Sequence, residues 1–137
     1  MTQQTTTRAD TSWTPTLIDA ITLFVEDLPA AREFYRRAFA LPVHFEDEHS
    51  AVFRFGPTVI NLLQIEQAPE LVAPAGVAPI DSGVRVQFTI GVEDVDATCR
   101  LLEERGVELL NGPMDRPWGV RTATFRDPAG HVWEIGA

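Results

Sequence analysis

The strongest constraint on the fold of this chain is an internal repeat. The tripeptide Val25-Glu26-Asp27 recurs as Val92-Glu93-Asp94, and each copy stands between an apolar, β-branched run and an amphipathic helical pattern. In both copies the Asp is placed where its carboxylate can cap the helix that follows. Shorter apolar segments then come in the same order. Two copies of one element order favour a duplicated structural module over coincidence.

Each copy predicts the element order βαβββ. The first copy opens with a strand over 17–25, continues with a helix whose apolar residues recur at the i, i+3, i+4 spacing of one buried face, and ends with strands near 43–45, 51–55 and 58–64. The second copy predicts a strand over 83–92, a helix from Val95 to Gly106, and strands over 107–110, 120–125 and 131–135. Alternation and turn residues set these strand limits.

The repeat therefore predicts one α+β domain over residues 16–137, in which two tandem βαβββ modules form a curved mixed-sheet cup. The modules cover 16–65 and 83–137. Residues 66–82 contain Pro69, Pro74 and Pro79, and because proline neither extends a helix nor donates to a sheet, this segment is predicted to be a linker. Residues 1–15, rich in Thr and Gln, are predicted to form a mobile tail.

Composition excludes several classes of partner. Twenty acidic and eleven basic residues give a net charge of −9, which repels nucleic acid and anionic membranes and attracts cationic ligands. No apolar run reaches the roughly 20 residues that a membrane-spanning helix needs. The single cysteine, Cys99, cannot form an intramolecular disulfide. We expect a cytoplasmic protein with neither a nucleic-acid nor a membrane partner.

Two stretches carry a resemblance to a known family. Residues 25–39 read VEDLPAAREFYRRAF and residues 125–135 read FRDPAGHVWEI. In this respect the chain resembles the vicinal oxygen chelate superfamily, which includes glyoxalase I, extradiol dioxygenases, fosfomycin-resistance enzymes and bleomycin-resistance binding proteins. The resemblance covers about residues 17–137 and implies the cup fold and a homodimer with sites at its interface. It does not imply one reaction, because the fold hosts several.

The resemblance also implies where a metal would bind. Metal-dependent members place ligands on the first and last strands of each module, and the matching residues here are Ala20, Gln64, Gln87 and Glu134. One carboxylate, two amides and a methyl group give a divalent ion few strong ligands, and no imidazole is among them. We expect no metal cofactor and no extradiol dioxygenase activity. The alternative is a divalent metal held by Gln87 and Glu134.

Glu134 is the candidate catalytic residue. A carboxylate in a partly apolar cavity beside Trp133 could act as a general base without a metal. The alternative is a structural carboxylate, hydrogen-bonded to Gln87 across the cup.

The other candidate ligand contacts are Gln64, Gln87, Trp118, Arg121, Phe53 and Phe55. An indole supplies flat apolar area and a guanidinium supplies a fork of donors, although Trp118 could simply pack and Arg121 could pair with a carboxylate. Phe53 and Phe55 alternate with Arg54 and so face one side of their strand, either in the core or in the cup. Phe34 and Tyr35 are expected to pin their helix on the sheet. His44, His49 and His131 are expected at the surface.

Two functional hypotheses follow. The first is a binding protein of the bleomycin-resistance type, an antibiotic-resistance function in which a homodimer sequesters an aromatic or cationic small molecule without a complete metal site. The alternative is an enzyme, either a metal-dependent lyase or isomerase of the glyoxalase type with a divergent or dimer-completed site, or a metal-free one using Glu134. A structural module without small-molecule chemistry is a third interpretation.

Overall fold

The structure, a computed structural model, describes residues 13–137 and has the predicted α+β architecture. The helices and strands are β1 (Ala20–Val25), α1 (Leu28–Ala38), β2 (Phe45–Glu46), β3 (Ser50–Phe55), β4 (Thr58–Gln64), α2 (Ala68–Val72), β5 (Gln87–Gly91), α3 (Val95–Glu104), β6 (Leu109–Asp115), β7 (Arg121–Arg126) and β8 (Val132–Gly136). They form two four-stranded sheets, ordered β1-β4-β3-β2 and β5-β8-β7-β6. Residues 1–12 of the predicted tail lie outside the described residues.

The two modules share one topology. In each sheet the first strand pairs in parallel with the last, and the remaining pairs are antiparallel. Both predicted helix caps are present, since Asp27 Oδ1 accepts from the Ala30 amide at 3.1 Å and Asp94 Oδ1 from the Ala97 amide at 3.0 Å. These caps satisfy amides that have no partner within the helix. The repeated tripeptide therefore marks the same strand-to-helix turn twice.

Several details differ from the sequence prediction, and two strands are shorter, since β1 begins at Ala20 rather than at residue 17 and β5 covers Gln87–Gly91 rather than 83–92. Strand β2 covers only 45–46, and the linker contains the short helix α2, which tolerates Pro69 because its first turn needs no proline N–H. Strand β6 extends to Asp115 through Gly112 and Pro113, with irregular pairing to β7 on both sides of Asn111. Gly112 has φ of 87°, and a Cβ there would lie 2.5 Å from the Thr122 carbonyl oxygen, so only glycine fits.

Aromatic side chains join the two modules in a single core. Rings on α1 and directly after it contact both sheets. The ring centroid of Tyr35 lies 5.8 Å from that of Phe53 on β3, and the centroid of Phe39, the residue that follows α1, lies 5.0 Å from that of Trp133 on β8. Phe55 of β3 stacks on Trp133 at 5.3 Å. Such pairs add to the hydrophobic burial that drives folding. The modules therefore pack through the faces that carry their helices.

A buried polar network crosses the same core. The Tyr35 hydroxyl donates to Asp127 Oδ2 at 2.7 Å and accepts from Trp133 Nε1 at 3.0 Å. Asp127 Oδ1 also accepts from the amides of Ala129 and His131, both at 2.9 Å, and His131 Nδ1 lies 2.9 Å from Oδ2. His131 is thus partly buried, which corrects its predicted surface position. Tyr35 packs on Phe53 of its own sheet as predicted, and it also ties helix α1 to the last hairpin of the other module, which was not predicted.

The opposite faces of the two sheets point away from this core. On β1 and β4 these faces carry Thr22 and Asn61, and on β5 and β8 they carry Thr89 and Glu134. We call these the first and second open faces. Because the modules pack through their helix-bearing faces, the two open faces do not face each other within one chain. No helix among residues 13–137 is long and apolar enough to cross a membrane.

Replacing Tyr35 with Phe tests the buried network. The change leaves Asp127 with one donor fewer and Trp133 Nε1 without its acceptor, so the free energy of unfolding should fall by about 1–3 kcal/mol in urea denaturation. Thr58→Ala is the control, because it removes an exposed bond from Thr58 Oγ1 to the Ile18 carbonyl and should cost less than about 0.5 kcal/mol. Equal losses in the two variants would contradict the role of Tyr35.

The same comparison should depend on pH. Burial raises the pKa of Tyr35 above its ordinary value of 10.0, and the charge of Asp127 adds to this effect. Above about pH 10 the unfolded chain loses the phenolic proton that the folded chain keeps, so the stability of the unmodified protein falls as pH rises. The stability difference from Tyr35→Phe should therefore narrow between about pH 9 and pH 11. A constant difference across that range would show that the phenol is not held protonated.

Candidate functional site

Glu134 lies at the centre of the second open face. Its Oε1 accepts a hydrogen bond of 2.9 Å from Thr89 Oγ1 on β5, and its neighbour on the other side is Thr124 of β7. The hydrogen bond that was expected from Gln87 comes from Thr89, because Thr89 is the residue directly beside Glu134 in the parallel register. Gln87 is exposed and lies beside Val132. The second carboxylate oxygen remains available to a ligand.

Two buried polar atoms on the open faces have no hydrogen-bond partner among the described residues. They are Thr124 Oγ1, next to Glu134, and Asn61 Oδ1 on the first open face. A buried oxygen without a partner is costly, so most such atoms in folded proteins are satisfied by protein, water or ligand. Their position on the open faces indicates where a ligand could supply the missing contacts.

The register identifies Asn61 as the counterpart of Glu134 in the first module. Thr22 stands three residues before Val25 as Thr89 stands before Val92, and Thr22 pairs with Asn61 as Thr89 pairs with Glu134. Asn61 Nδ2 donates to Thr22 Oγ1 at 3.4 Å. The prediction had placed Gln64 at this position. Gln64 is three residues further along β4, and so points to the other side of the strand.

Gln64 has a local structural role. Its Oε1 accepts from the Leu28 amide at 3.2 Å, and its Nε2 donates to the Glu26 carbonyl at 2.7 Å and to Glu66 at 2.9 Å. These bonds fasten the end of β4 to the turn between β1 and α1. The hydrogen bond from Gln64 is also the main cause of the lowered pKa of Glu66. The side chain is thus engaged away from the open face.

The donors at the family's metal positions do not suit a divalent ion. With Asn61 in place of Gln64 the set becomes Ala20, Asn61, Gln87 and Glu134, so it still contains one carboxylate and no imidazole. Residues 13–137 contain no group of three or more His, Cys, Asp or Glu side chains arranged to hold a metal ion. Two neutral amides and one carboxylate, already hydrogen-bonded to Thr89, compete poorly with water for a cation.

Arg121 lies on the helix side of its sheet. Its Nε and Nη2 donate to both oxygens of Asp96, each at 3.0 Å, and its Nη1 donates to Asp115 at 3.0 Å. These bonds raise the pKa of Arg121, and in return the hydrogen bond from Arg121 lowers the pKa of Asp96. The guanidinium is therefore paired with carboxylates, which is the alternative that the sequence left open.

The three aromatic candidates differ in how deeply they are buried. Phe53 is 0% exposed in the shared core, and Phe55 is partly buried against Phe39 and Trp133, so both have the packing role rather than a place on an open face. Trp118 is 71% exposed in the loop between β6 and β7. Of the three, only Trp118 is exposed.

Arg116 was missed from the sequence. It follows β6, and it reaches the second open face, where its Nε donates to Thr122 Oγ1 at 2.8 Å and its Nη2 to Asn111 Oδ1 at 3.1 Å. Thr122 lies on this face through its regular pairing with Gly136, and the irregular register of β6 against β7 brings Asn111 beside Thr124. Simple alternation along the sequence does not predict that register. The sequence pattern therefore did not indicate Arg116 as a site residue.

The topology and the position of Glu134 are those of a known family. The sequence profile of the Glyoxalase/Bleomycin resistance protein/Dioxygenase superfamily matches residues 17–135. The chain belongs to this superfamily. It is similar to the uncharacterized protein YraH of Bacillus subtilis (strain 168), with 38% identity over 120 residues that cover 84% of this chain and 93% of that protein.

Solved structures support the same assignment of the superfamily fold. A glyoxalase/bleomycin resistance protein/dioxygenase from Nocardioides is 26% identical with a TM-score of 0.82, and the match covers 99% of this chain and 89% of that one. A lactoylglutathione lyase from Agrobacterium tumefaciens is 25% identical with a TM-score of 0.73, covering 90% of this chain and 94% of that one. The superfamily fold is shared, while these matches carry several different functional names.

The two glutamines provide a test of these positions. Gln64→Ala removes the bonds to the Leu28 amide and the Glu26 carbonyl, so the free energy of unfolding should fall by about 1–2 kcal/mol. Gln87→Ala is the matched control, since Gln87 is exposed on β5, and its effect should stay within about 0.5 kcal/mol. Urea denaturation measures both. A larger loss of unfolding free energy for Gln87→Ala than for Gln64→Ala would contradict the structural role of Gln64.

Proposed function

We propose that this protein binds a small organic molecule at the second open face without a resident metal, and sequesters it rather than transforms it. The observation that carries the proposal is the set of groups around Glu134. Among residues 13–137, Glu134 accepts a hydrogen bond from Thr89 at one carboxylate oxygen, the buried hydroxyl of Thr124 has no hydrogen-bond partner, and no group of three or more His, Cys, Asp or Glu side chains could hold a metal ion. Such a site offers directional contacts to a small molecule and too few strong ligands for a metal ion.

A second copy of the chain is proposed to complete the cup. The two open faces of one chain point in different directions, so a ligand on the second face would have protein on one side only. Exposed apolar side chains border both faces, with Phe45 on β2 56% exposed and Met114 on β6 37% exposed. Apolar groups at the margin of an open face suit burial against another subunit. We therefore propose a homodimer in which open faces of the two copies meet.

The ligand class in this proposal follows from the resemblance to bleomycin-resistance proteins. Trp118, exposed in the loop that follows β6, is proposed as a flat apolar surface for an aromatic ligand. A role in antibiotic resistance would follow if the ligand is an antibiotic. One alternative is a metal-free enzyme that uses Glu134 as a general base, and the other is a metal-dependent lyase or isomerase of the glyoxalase type with a divergent or dimer-completed site. Product formation from a bound ligand would distinguish either alternative from sequestration.

Glu134→Gln tests the binding function. In a thermal-shift panel of bleomycin and other cationic antibiotics, glutathione adducts and aromatic diols, a compound that stabilises the unmodified protein should bind at least about tenfold more weakly to Glu134→Gln. Glu104→Gln, at the exposed end of α3, is the control and should bind the same compound normally. Panel compounds that bind both variants equally would contradict a site at Glu134.

The same variants test for a metal. Nickel, zinc, manganese and iron should each fail to bind the unmodified protein stoichiometrically and tightly in metal analysis after desalting. Tight binding that is lost in Glu134→Gln but kept in Glu104→Gln would overturn the metal-free proposal and favour the metal-dependent lyase or isomerase.

The oligomeric state tests the completed cup. Sedimentation equilibrium should show a dimer for the unmodified protein, and Met114→Glu should weaken it at least about tenfold by placing a charge at the edge of the second open face. Leu71→Glu is the control, because Leu71 is 64% exposed on α2 in the linker and should leave the dimer intact. A monomeric unmodified protein, or a dimer broken only by Leu71→Glu, would contradict the arrangement.

A further inference from the structure

Arg116 is a half-buried cation held by neutral partners. Its Nε–H donates to Thr122 Oγ1 at 2.8 Å and one Nη2–H donates to Asn111 Oδ1 at 3.1 Å. A guanidinium has five N–H donors in a rigid fork, so these two bonds occupy one edge and fix the plane of the group. The edge formed by Nη1 and the second Nη2 hydrogen keeps its donors. The orientation of this edge is therefore set before any ligand arrives.

No carboxylate lies within ion-pair distance of Arg116 among residues 13–137, although acidic residues are common in this chain. Twenty acidic residues are present, and Arg121, five residues further on, is held by both Asp96 and Asp115. Among residues 13–137, Arg116 takes part in no ion pair. Half-buried charges are normally paired because water solvates them incompletely. An anion brought by a ligand would supply the missing partner.

The cross-strand register places this cation near Glu134. On the second open face Thr124 lies beside Glu134, and Thr122 lies beside Gly136, so Thr122 and Glu134 are diagonal neighbours. Such positions on antiparallel strands are about 7–8 Å apart. The hydroxyl of Thr124, buried and without a hydrogen-bond partner among the described residues, lies between them. The face thus presents a cation, a hydroxyl and an anion in sequence.

We propose that the ligand is a small zwitterion whose carboxylate binds the free edge of Arg116 and whose ammonium group binds Glu134. The proposal rests on the small-molecule function given above and narrows its ligand class. The net charge of −9 acts over long range and favours cations in general. The contact groups decide which ligand fits, because a bidentate arginine–carboxylate bond is strong and directional. Arg116 is then the residue that selects for a carboxylate.

Three compounds of equal chain length separate the contributions of the ligand's anion and cation to the binding affinity. Titration calorimetry would compare 5-aminopentanoate, pentanoate and pentylammonium, which carry both charges, the anion only and the cation only. The unmodified protein should bind 5-aminopentanoate most tightly, in the millimolar range expected for about eight heavy atoms. Arg116→Gln should weaken 5-aminopentanoate and pentanoate at least about tenfold and leave pentylammonium unchanged. Arg116→Lys, which keeps the charge without the fork, should lie between.

Arg100→Gln is the matched control, because it removes the same charge from the exposed surface of α3 and should change no affinity more than about twofold. Tightest binding of pentylammonium to the unmodified protein, or equal loss of pentanoate binding in Arg116→Gln and Arg100→Gln, would overturn the zwitterion proposal. If none of the three compounds binds while a panel compound binds in a Glu134-dependent manner, the zwitterion proposal is wrong and the binding function stands. If Glu134→Gln does not change the affinity for any compound, the zwitterion proposal and the proposed binding function are both wrong.

Discussion

The buried carboxylate of Asp127 is the interaction on which the arrangement of this protein depends. Its side chain is 0% exposed, and a buried charge is tolerated only when hydrogen bonds satisfy it. Two of those bonds come from the amides of its own turn, and the bond from Tyr35 comes from the helix of the other module. Since Tyr35 also accepts from Trp133, the last hairpin, the last strand and helix α1 are held in one relative position.

This position determines which side chains of the two sheets stay outside the core. Because α1 packs against both sheets, the helix-bearing faces of the modules form the core and the open faces point outward. Apolar side chains occupy the core side of β8, where Trp133 and Ile135 are buried, while Glu134 between them emerges on the other side. Strand alternation thus places the core-packing residues and the candidate ligand-binding residue on opposite sides of one five-residue strand. A ligand at Glu134 then needs a cover, which a second copy is proposed to provide.

The net charge of the whole chain and the charged groups on the second open face favour different ligands. The overall excess of acidic residues suggests a cationic ligand, since a net charge attracts its opposite over long distances. On the second open face, however, Arg116 is fixed by neutral Thr122 and Asn111 and lacks an acidic partner among the described residues. Composition cannot reveal this, because a count of charges says nothing about which arginines are neutralised by neighbours, as Arg121 is by Asp96.

The sequence by itself determined the duplicated βαβββ order, the two Asp caps, the turn at Asp127 and the place of Glu134 on the last strand. These follow from local rules of periodicity, capping and turn chemistry, which act over a few residues. Only the tertiary structure decided that Asn61 rather than Gln64 is the counterpart of Glu134, that Arg116 rather than Arg121 reaches the open face, and that the aromatic rings of α1 and β3 fill a common core. Strand register, irregular pairing and the packing of one module on the other involve residues far apart in the chain, and a one-residue shift in register exchanges the two faces of a strand.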